Sequence, residues 1–233
     1  MQLTPDDQIV FMIGNLAINR TIFNTWVIMA ALTVVSMLIT RQLRPDVPPN
    51  RWRTTLEVIV IGIQEQISEV TQRRDPRLLH FAGTLFLFIV TANVLTVVPG
   101  FDTPTASLST TVALALSVLA AVPMFGIGSR GLRGYLRTFI EPSVIMLPFN
   151  IIGEFSRGIS LAIRLYGNIM SGAVIAAILL GIAPFFFPVA MDMLGLLTGV
   201  IQAYIFAVLA TVYIAAAIAP PDSDGGPHTE DPT

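Results

Sequence analysis

The sequence contains no cysteine and no lysine, and it has few charged residues of either sign. All 13 basic residues are arginines, and charged residues occupy 12% of the 233 positions. Without cysteine the chain has no disulfide, no thiolate metal site and no cysteine nucleophile. Without lysine the nucleotide-binding motif GxxxxGK[ST] is excluded. The net charge of −2 gives no support to nucleic-acid binding.

Apolar residues dominate what is present. They make up 54% of the chain, and the mean hydropathy is +0.74. The charged fraction of 12% is about half of the roughly 25% that a soluble domain has. A membrane crossing needs about 20 mostly apolar residues. We therefore predict an all-α polytopic membrane protein with a single membrane domain over residues 1–219 and a disordered cytoplasmic tail over 220–233. The five predicted crossings are about 22–40, 81–98, 107–127, 139–180 and 189–219.

The arginines are distributed unevenly between the connections. Residues 41–77 hold seven arginines and residues 130–137 hold three, while 99–106 and 182–188 hold none. Five crossings place both arginine-rich segments on one side, and basic loops face the cytoplasm. The pattern predicts an N-terminus outside and a C-terminus in the cytoplasm.

Residues 54–72 have the periodicity of an amphipathic helix rather than of a sixth crossing. Their apolar residues recur at spacings of four and three, and glutamates occupy the other faces. Two interpretations remain open: a helix in the cytoplasmic interface that binds a partner, or one that packs on this protein's own loops.

The fourth apolar segment is too long for an upright crossing. About 40 helical residues extend roughly 60 Å, twice a hydrocarbon core of about 30 Å. Two short crossings broken near Gly158 would fit, and so would one steeply tilted helix. Five polar residues and one leucine follow one another at steps of four and three, so they share one face of a continuous helix, which favours the second solution. This face, the stripe, consists of Asn150, Glu154, Arg157, Leu161, Arg164 and Asn168.

Arg164 is the most informative residue of this stripe. A guanidinium does not lose its proton in proteins, and a charge at the bilayer centre costs about 2.5–3.5 kcal/mol on insertion scales. It therefore needs a carboxylate or a polar cavity. An internal pair with Glu154 or Glu141 is one solution. The small neighbours Ser160, Gly167 and Ser171 favour another, in which a partner helix approaches closely.

The last apolar segment has a comparable face with Gly195, Gly199 and Gln202, and Asp192 lies near its outer end. Gln202, Asn168 and the second-crossing Asn93 fit either an ion pathway or interhelical hydrogen bonds. No Ser-His-Asp or HExxH arrangement occurs, and no cofactor or metal site is predicted.

Four stretches of the sequence form distinctive motifs. They are residues 160–168 (SLAIRLYGN), residues 85–89 (LFLFI) with Asn93 and 99–101 (PGF), residues 104–116 (PTASLSTTVALAL), and residues 201–206 (IQAYIF) with 212–213 (VY). In that order they resemble the SLxxRLFGN signature, the second-crossing motif, the PTAxLNTTLALAL stretch and the final-helix motif of the a subunit of F-type ATP synthases. The resemblance covers about residues 20–219.

The resemblance implies a stator channel in the bacterial inner membrane, without ATP chemistry of its own. The expected partners are a rotating ring of c subunits, a b-type peripheral stalk subunit and the rest of the synthase. Arg164 would face the ring carboxylates and drive ion release between two offset half-channels. Ion-pathway residues would be Asn168, Gln202, Glu154, Asp192 and Asn93. The ring-facing residues would be Ser160, Gly167, Ser171, Gly195 and Gly199.

The sequence departs from this family where many relatives carry an acidic residue and a histidine. Those positions are Ala173 and Gly195 here. A titratable relay in the outer half-channel is therefore in doubt. Water, Asp192 or coupling to sodium instead of protons would each compensate. Two hypotheses of other classes are a self-contained secondary transporter for an anionic substrate and a structural scaffold.

Overall fold

In the part of the chain that the structure describes, five long helices form a bundle, preceded by a short hairpin. The computed structural model describes residues 9–13, 16–41, 76–98, 101, 103–140, 143–181 and 187–218, and six single positions between 58 and 69. Strands β1 (Ile9–Ile13) and β2 (Leu16–Asn19) pair antiparallel. The sequence analysis did not predict this hairpin. It leads directly into the first helix.

The helices are α1 (Arg20–Arg41), α2 (Pro76–Val94), α3 (Leu108–Ile140), α4 (Met146–Leu180) and α5 (Phe187–Ile218). Each is long and apolar enough to cross a membrane. This confirms the prediction of an all-α polytopic membrane protein. Short 3-10 turns, Leu95–Val97 and Pro104–Ala106, lie between α2 and α3.

The fourth crossing is one helix, as the spacing of its polar residues indicated. Its 35 residues extend about 52 Å, so a core of about 30 Å accommodates it only with a steep tilt. The helix begins at residue 146 rather than 139, because residues 139 and 140 still belong to α3. Residues 141–142 and 182–186 lie outside the described part of the chain.

The third crossing extends beyond residue 127, where the sequence pattern placed its end. Its backbone leaves the helical conformation at Gly131, with φ 74° and ψ 163°, and a helical segment then continues to residue 140. This conformation is almost restricted to glycine. The predicted break is therefore present, and the segment after it turns back so that Tyr135 packs on Gly126.

The core lies between α2, α3, α4 and α5. Its largest cluster includes Phe88, Val118, Leu165 and Phe206, one from each helix, and Ile28 of α1 reaches it. A second cluster joins α2, α3 and α5 around Leu78, Val122 and Ile214.

Six positions of the predicted interfacial helix are described, and all are helical: Val58, Ile61, Gly62, Gln64, Glu65 and Glu69. The rest of residues 54–72 and the tail over 220–233 lie outside the described residues, so those predictions remain predictions.

Candidate functional site

Arg164 lies in the middle of α4 on a face that the bundle leaves open. Its neighbours Leu161, Ala162 and Leu165 are buried in the core, whereas Arg164 itself is exposed. Glu154 does not pair with it. The carboxylate of Glu154 accepts a hydrogen bond from Nη1 of Arg157 at 3.2 Å. Within the described part of the chain Arg164 has no ion pair or hydrogen bond, so its charge points out of the bundle.

Small residues surround Arg164 on this open face. Ser160, Gly167, Ser171 and Gly195 are all exposed. A Cβ added at Gly167 or Gly195 would meet nothing within 4 Å. Another helix can therefore approach the backbone of α4 and α5 here.

Gly199 differs from the prediction that placed it on the same face. It is buried, and an added Cβ would lie 3.0 Å from the side chain of Asn93. Gly199 therefore faces α2, and a larger residue at this position would displace Asn93. The open face of α5 consists instead of Gly195 and large apolar residues, which include Leu194, Leu197 and Ile201.

A buried polar cluster lies behind this face, where α2, α5 and the turn before α3 meet. Asn93 donates from Nδ2 to the carbonyl oxygen of Gly199 at 2.8 Å. It accepts at Oδ1 from the hydroxyl of Thr105 at 3.1 Å. Gln202 is 7% exposed, and its Nε2 has no hydrogen-bond partner among the described residues. A buried donor without a partner is costly, by about 1–3 kcal/mol.

Asn168 connects the stripe of α4 to this cluster. Its Nδ2 donates to the carbonyl oxygen of Thr198 at 3.3 Å, and its own carbonyl oxygen accepts from the hydroxyl of Ser171 at 3.1 Å. The amide of Asn168 therefore joins α4 to α5 one turn beyond Arg164, next to the position of Gly199.

A second polar region lies toward the other end of α4. A cavity of about 210 Å³ is lined by Glu154 and Arg157, by residues of α3 that include Tyr135, and by Tyr213 of α5. The guanidinium of Arg157 lies 5.4 Å from the ring centroid of Tyr213, a cation–π contact. Arg157 is thus held between Glu154 and an aromatic ring.

The two polar regions lie on opposite sides of Arg164 along α4. Arg157 precedes it by seven residues, about 10 Å of helix, and Asn168 follows it by four, about 6 Å. Asp192 is exposed in the second turn of α5 and has no hydrogen bond or ion pair with any described residue of either region. Arg164, at mid-helix, therefore has polar groups on both sides of it along α4.

Sequence reasoning missed three residues of these regions: Thr105, Thr198 and Tyr135. Thr105 is fully buried and belongs to the PTAxL motif, so the motif could have identified it. Thr198 contributes a backbone carbonyl, which no side-chain pattern reveals. Tyr135 reaches the cavity only because the chain reverses near Gly131.

These features define a class: a multi-pass helical membrane protein with an exposed arginine in the middle of the longest described helix and polar groups on either side. A comparison with protein families identifies the member. The model described as ATP synthase A chain matches residues 22–215. The chain belongs to this family, the a subunits of the membrane part Fo of ATP synthase.

Curated relatives agree over nearly the whole chain. An ATP synthase subunit a 2 from Picosynechococcus sp. is 56% identical, covering 93% of both chains. An ATP synthase subunit a from Albidiferax ferrireducens is also 56% identical, covering 93% of this chain and 94% of its own. An ATP synthase subunit a 1 from Chlorobaculum parvum is 55% identical, covering 93% and 96%.

Family membership confirms the resemblance drawn from the motifs. The chain is a stator subunit of Fo that takes part in ion translocation, belongs to the ATP synthase complex and is not itself catalytic. It is a multi-pass membrane protein, of the kind that bacteria hold in the inner membrane. The secondary-transporter and scaffold hypotheses are therefore set aside.

Proposed function

We propose that Arg164 is the essential arginine of ion translocation, facing the membrane carboxylates of a ring of c subunits. The observation that carries this proposal is its exposure at mid-helix without an internal partner among the described residues. A charge in that position needs a counter-charge from outside the bundle. A passing carboxylate supplies it, and small residues leave room for the helix that bears it.

The chemistry follows from the permanent charge of the guanidinium. A neighbouring cation stabilises an ionised carboxylate and lowers its pKa. A ring carboxylate that reaches Arg164 therefore releases its ion. The same fixed charge repels cations, so it prevents ions from crossing directly from one side to the other.

Two half-channels, offset along α4, approach this arginine. The cavity between Glu154, Arg157 and Tyr213 supports the one on the side where α4 begins. The cluster of Asn93, Gln202 and Asn168 supports the other, and the unpartnered Nε2 of Gln202 is a site for water. Ions enter by one path, travel with the ring and leave by the other. Each elementary charge that crosses 100 mV supplies about 2.3 kcal/mol for rotation.

The ring-facing surface of this proposal consists of Ser160, Gly167, Ser171 and Gly195, without Gly199. The transported ion is a proton or sodium, and Asp192 lies at the outer end of the path. The basic segments orient the chain with its N-terminus outside and its C-terminus in the cytoplasm. A b-type stalk subunit is the second partner within the complex.

The test is replacement of Arg164 by glutamine in the assembled synthase, with Arg133→Gln as the matched control. We expect Arg164→Gln to abolish ion-driven ATP synthesis in reconstituted vesicles while the subunits remain assembled. Arg133→Gln removes the same charge from an exposed position that lines neither polar region. It should keep most of the synthesis rate. Coupled synthesis by the Arg164 variant would refute the assigned role.

A further inference from the structure

A groove between α1 and α2, remote from Arg164, has the properties of a lipid site. Its volume is about 620 Å³, and its lining includes Leu32, Thr33, Met37 and Arg41 of α1 with Leu87 of α2. Met37 and Leu87 are 58% and 41% exposed. In the described structure, α1 thus stands partly away from the bundle and leaves an open, mostly apolar surface.

The hydroxyl groups of the groove do not make it a polar site. Thr33 donates to the carbonyl oxygen of Met29 at 2.7 Å, and Thr84 donates to that of His80 at 2.6 Å. Because both threonine hydroxyls are satisfied within their own helices, these two residues present their methyl groups to the groove, which Ser36 also lines. A polar ligand gains nothing there, whereas a hydrocarbon chain does.

Arg41 is the charged exception, and it lies where α1 ends. It is exposed, and it has no ion pair with any residue that the structure describes. Basic groups at the membrane-surface end of a groove between transmembrane helices bind anionic lipid headgroups. The charge of Arg41 is complementary to a phosphate at that level.

The dimensions of the groove fit one lipid chain below a headgroup at Arg41. From Leu32 to Arg41 is nine residues, about 13 Å of helix. This is close to the half-thickness of a hydrocarbon core of about 30 Å. A lipid chain that begins at the level of Arg41 therefore spans the groove within one leaflet. We infer that the groove binds an anionic phospholipid, with the phosphate at Arg41 and an acyl chain along Leu32, Met37 and Leu87.

The test uses the whole synthase complex, reconstituted in vesicles that contain photoactivatable phosphatidylglycerol or photoactivatable phosphatidylcholine. We expect the anionic probe to label peptides of α1 and α2 that line the groove. Arg41→Gln should lower this labelling about five-fold, the contribution of one basic residue near an anionic surface. Arg133→Gln, which removes an exposed arginine outside the groove, is the matched control and should leave labelling unchanged.

A second variant separates binding in the groove from attraction to the surface. Met37→Trp fills the groove while Arg41 remains, and it should abolish labelling of Leu87 peptides. Equal labelling by both probes, or labelling unaffected by Arg41→Gln, would refute an anionic site. Efficient cross-linking of Met37→Cys to another subunit's transmembrane segment would show that a protein helix occupies the groove instead.

Discussion

At the scale of single residues, Arg164 and Gln202 share one property: each is a polar group that the fold leaves without an internal partner among the described residues. Arg164 is exposed, and its partner has to come from outside. Gln202 is buried, and its Nε2 has no hydrogen-bond partner in the part of the chain that the structure describes. A protein selected for stability alone would satisfy or remove both groups. Their retention is consistent with a role in transport rather than in folding.

Replacement of Gln202 by leucine should therefore separate stability from function. The variant removes an unsatisfied buried donor, so we expect the free energy of unfolding to stay within about 1 kcal/mol or to rise. Ion-driven ATP synthesis should fall at least several-fold because water loses its binding group. Thermal unfolding of the purified complex and synthesis in vesicles measure the two effects.

The control for this prediction is Asn93→Leu, which removes a buried side chain that makes two hydrogen bonds. It should destabilise the protein, because the hydroxyl of Thr105 and the carbonyl of Gly199 lose their partner. A Gln202→Leu variant as unstable as Asn93→Leu would show that Gln202 is structural.

At the scale of elements, the break in α3 and the continuity of α4 shape the site. Gly131 reverses the chain, so that Tyr135 reaches the cavity beside Glu154. The unbroken α4 carries the cavity residues, Arg164 and Asn168 on one helix. The distance between the two polar regions along α4 is therefore set by the rise of the helix.

Gly131→Ala should destabilise the protein by about 1–3 kcal/mol, since φ 74° with ψ 163° is strained for any residue with a Cβ. Gly128→Ala is the control, because it has no positive φ and nothing lies within 4 Å of an added Cβ. It should be neutral or slightly stabilising. Equal unfolding temperatures for the two variants would contradict the assigned backbone role of Gly131.

The open face of α4 and α5 should contact the c ring in the assembled synthase. Cysteine at Ser171 or Ser160 should form disulfide cross-links with cysteines placed on the carboxylate-bearing helix of subunit c. Cysteine at Ala210, which is fully buried in α5, is the control and should not cross-link. Labelling of both serine positions by lipid-phase probes alone would show that this face contacts lipid.

At the scale of the whole molecule, the choice of ion follows from the two proposed half-channels together. Ala173 and Gly195 bring no titratable group to the proposed outer path, and Asp192 is exposed. A sodium ion needs oxygen ligands and an aqueous path rather than a side-chain proton relay. We therefore predict that ATP-driven transport by the reconstituted complex requires sodium.

The measurement is uptake of sodium into vesicles with and without a protonophore. Sodium uptake that persists when the protonophore removes any pH gradient would support the prediction. Acidification of the lumen in sodium-free buffer would contradict it and identify the proton as the coupling ion. Arg164→Gln, which stops transport of either ion, is the control for leakage.

Much of this molecule follows from its sequence. The scarcity of charge and the long apolar segments determined the membrane class, since no aqueous fold accommodates them. The four-and-three spacing from Asn150 to Asn168 determined that α4 is one helix. The motif around Arg164 determined the family.

The tertiary structure alone decided which neighbour each helix face contacts. Lipid-facing and core-facing positions are equally apolar in a membrane, so periodicity does not distinguish them. For that reason Gly199 was placed with Gly195, although it packs on Asn93. The hydrogen bond from Asn93 to Gly199 joins residues 106 positions apart, and only the packing of α5 against α2 brings them together.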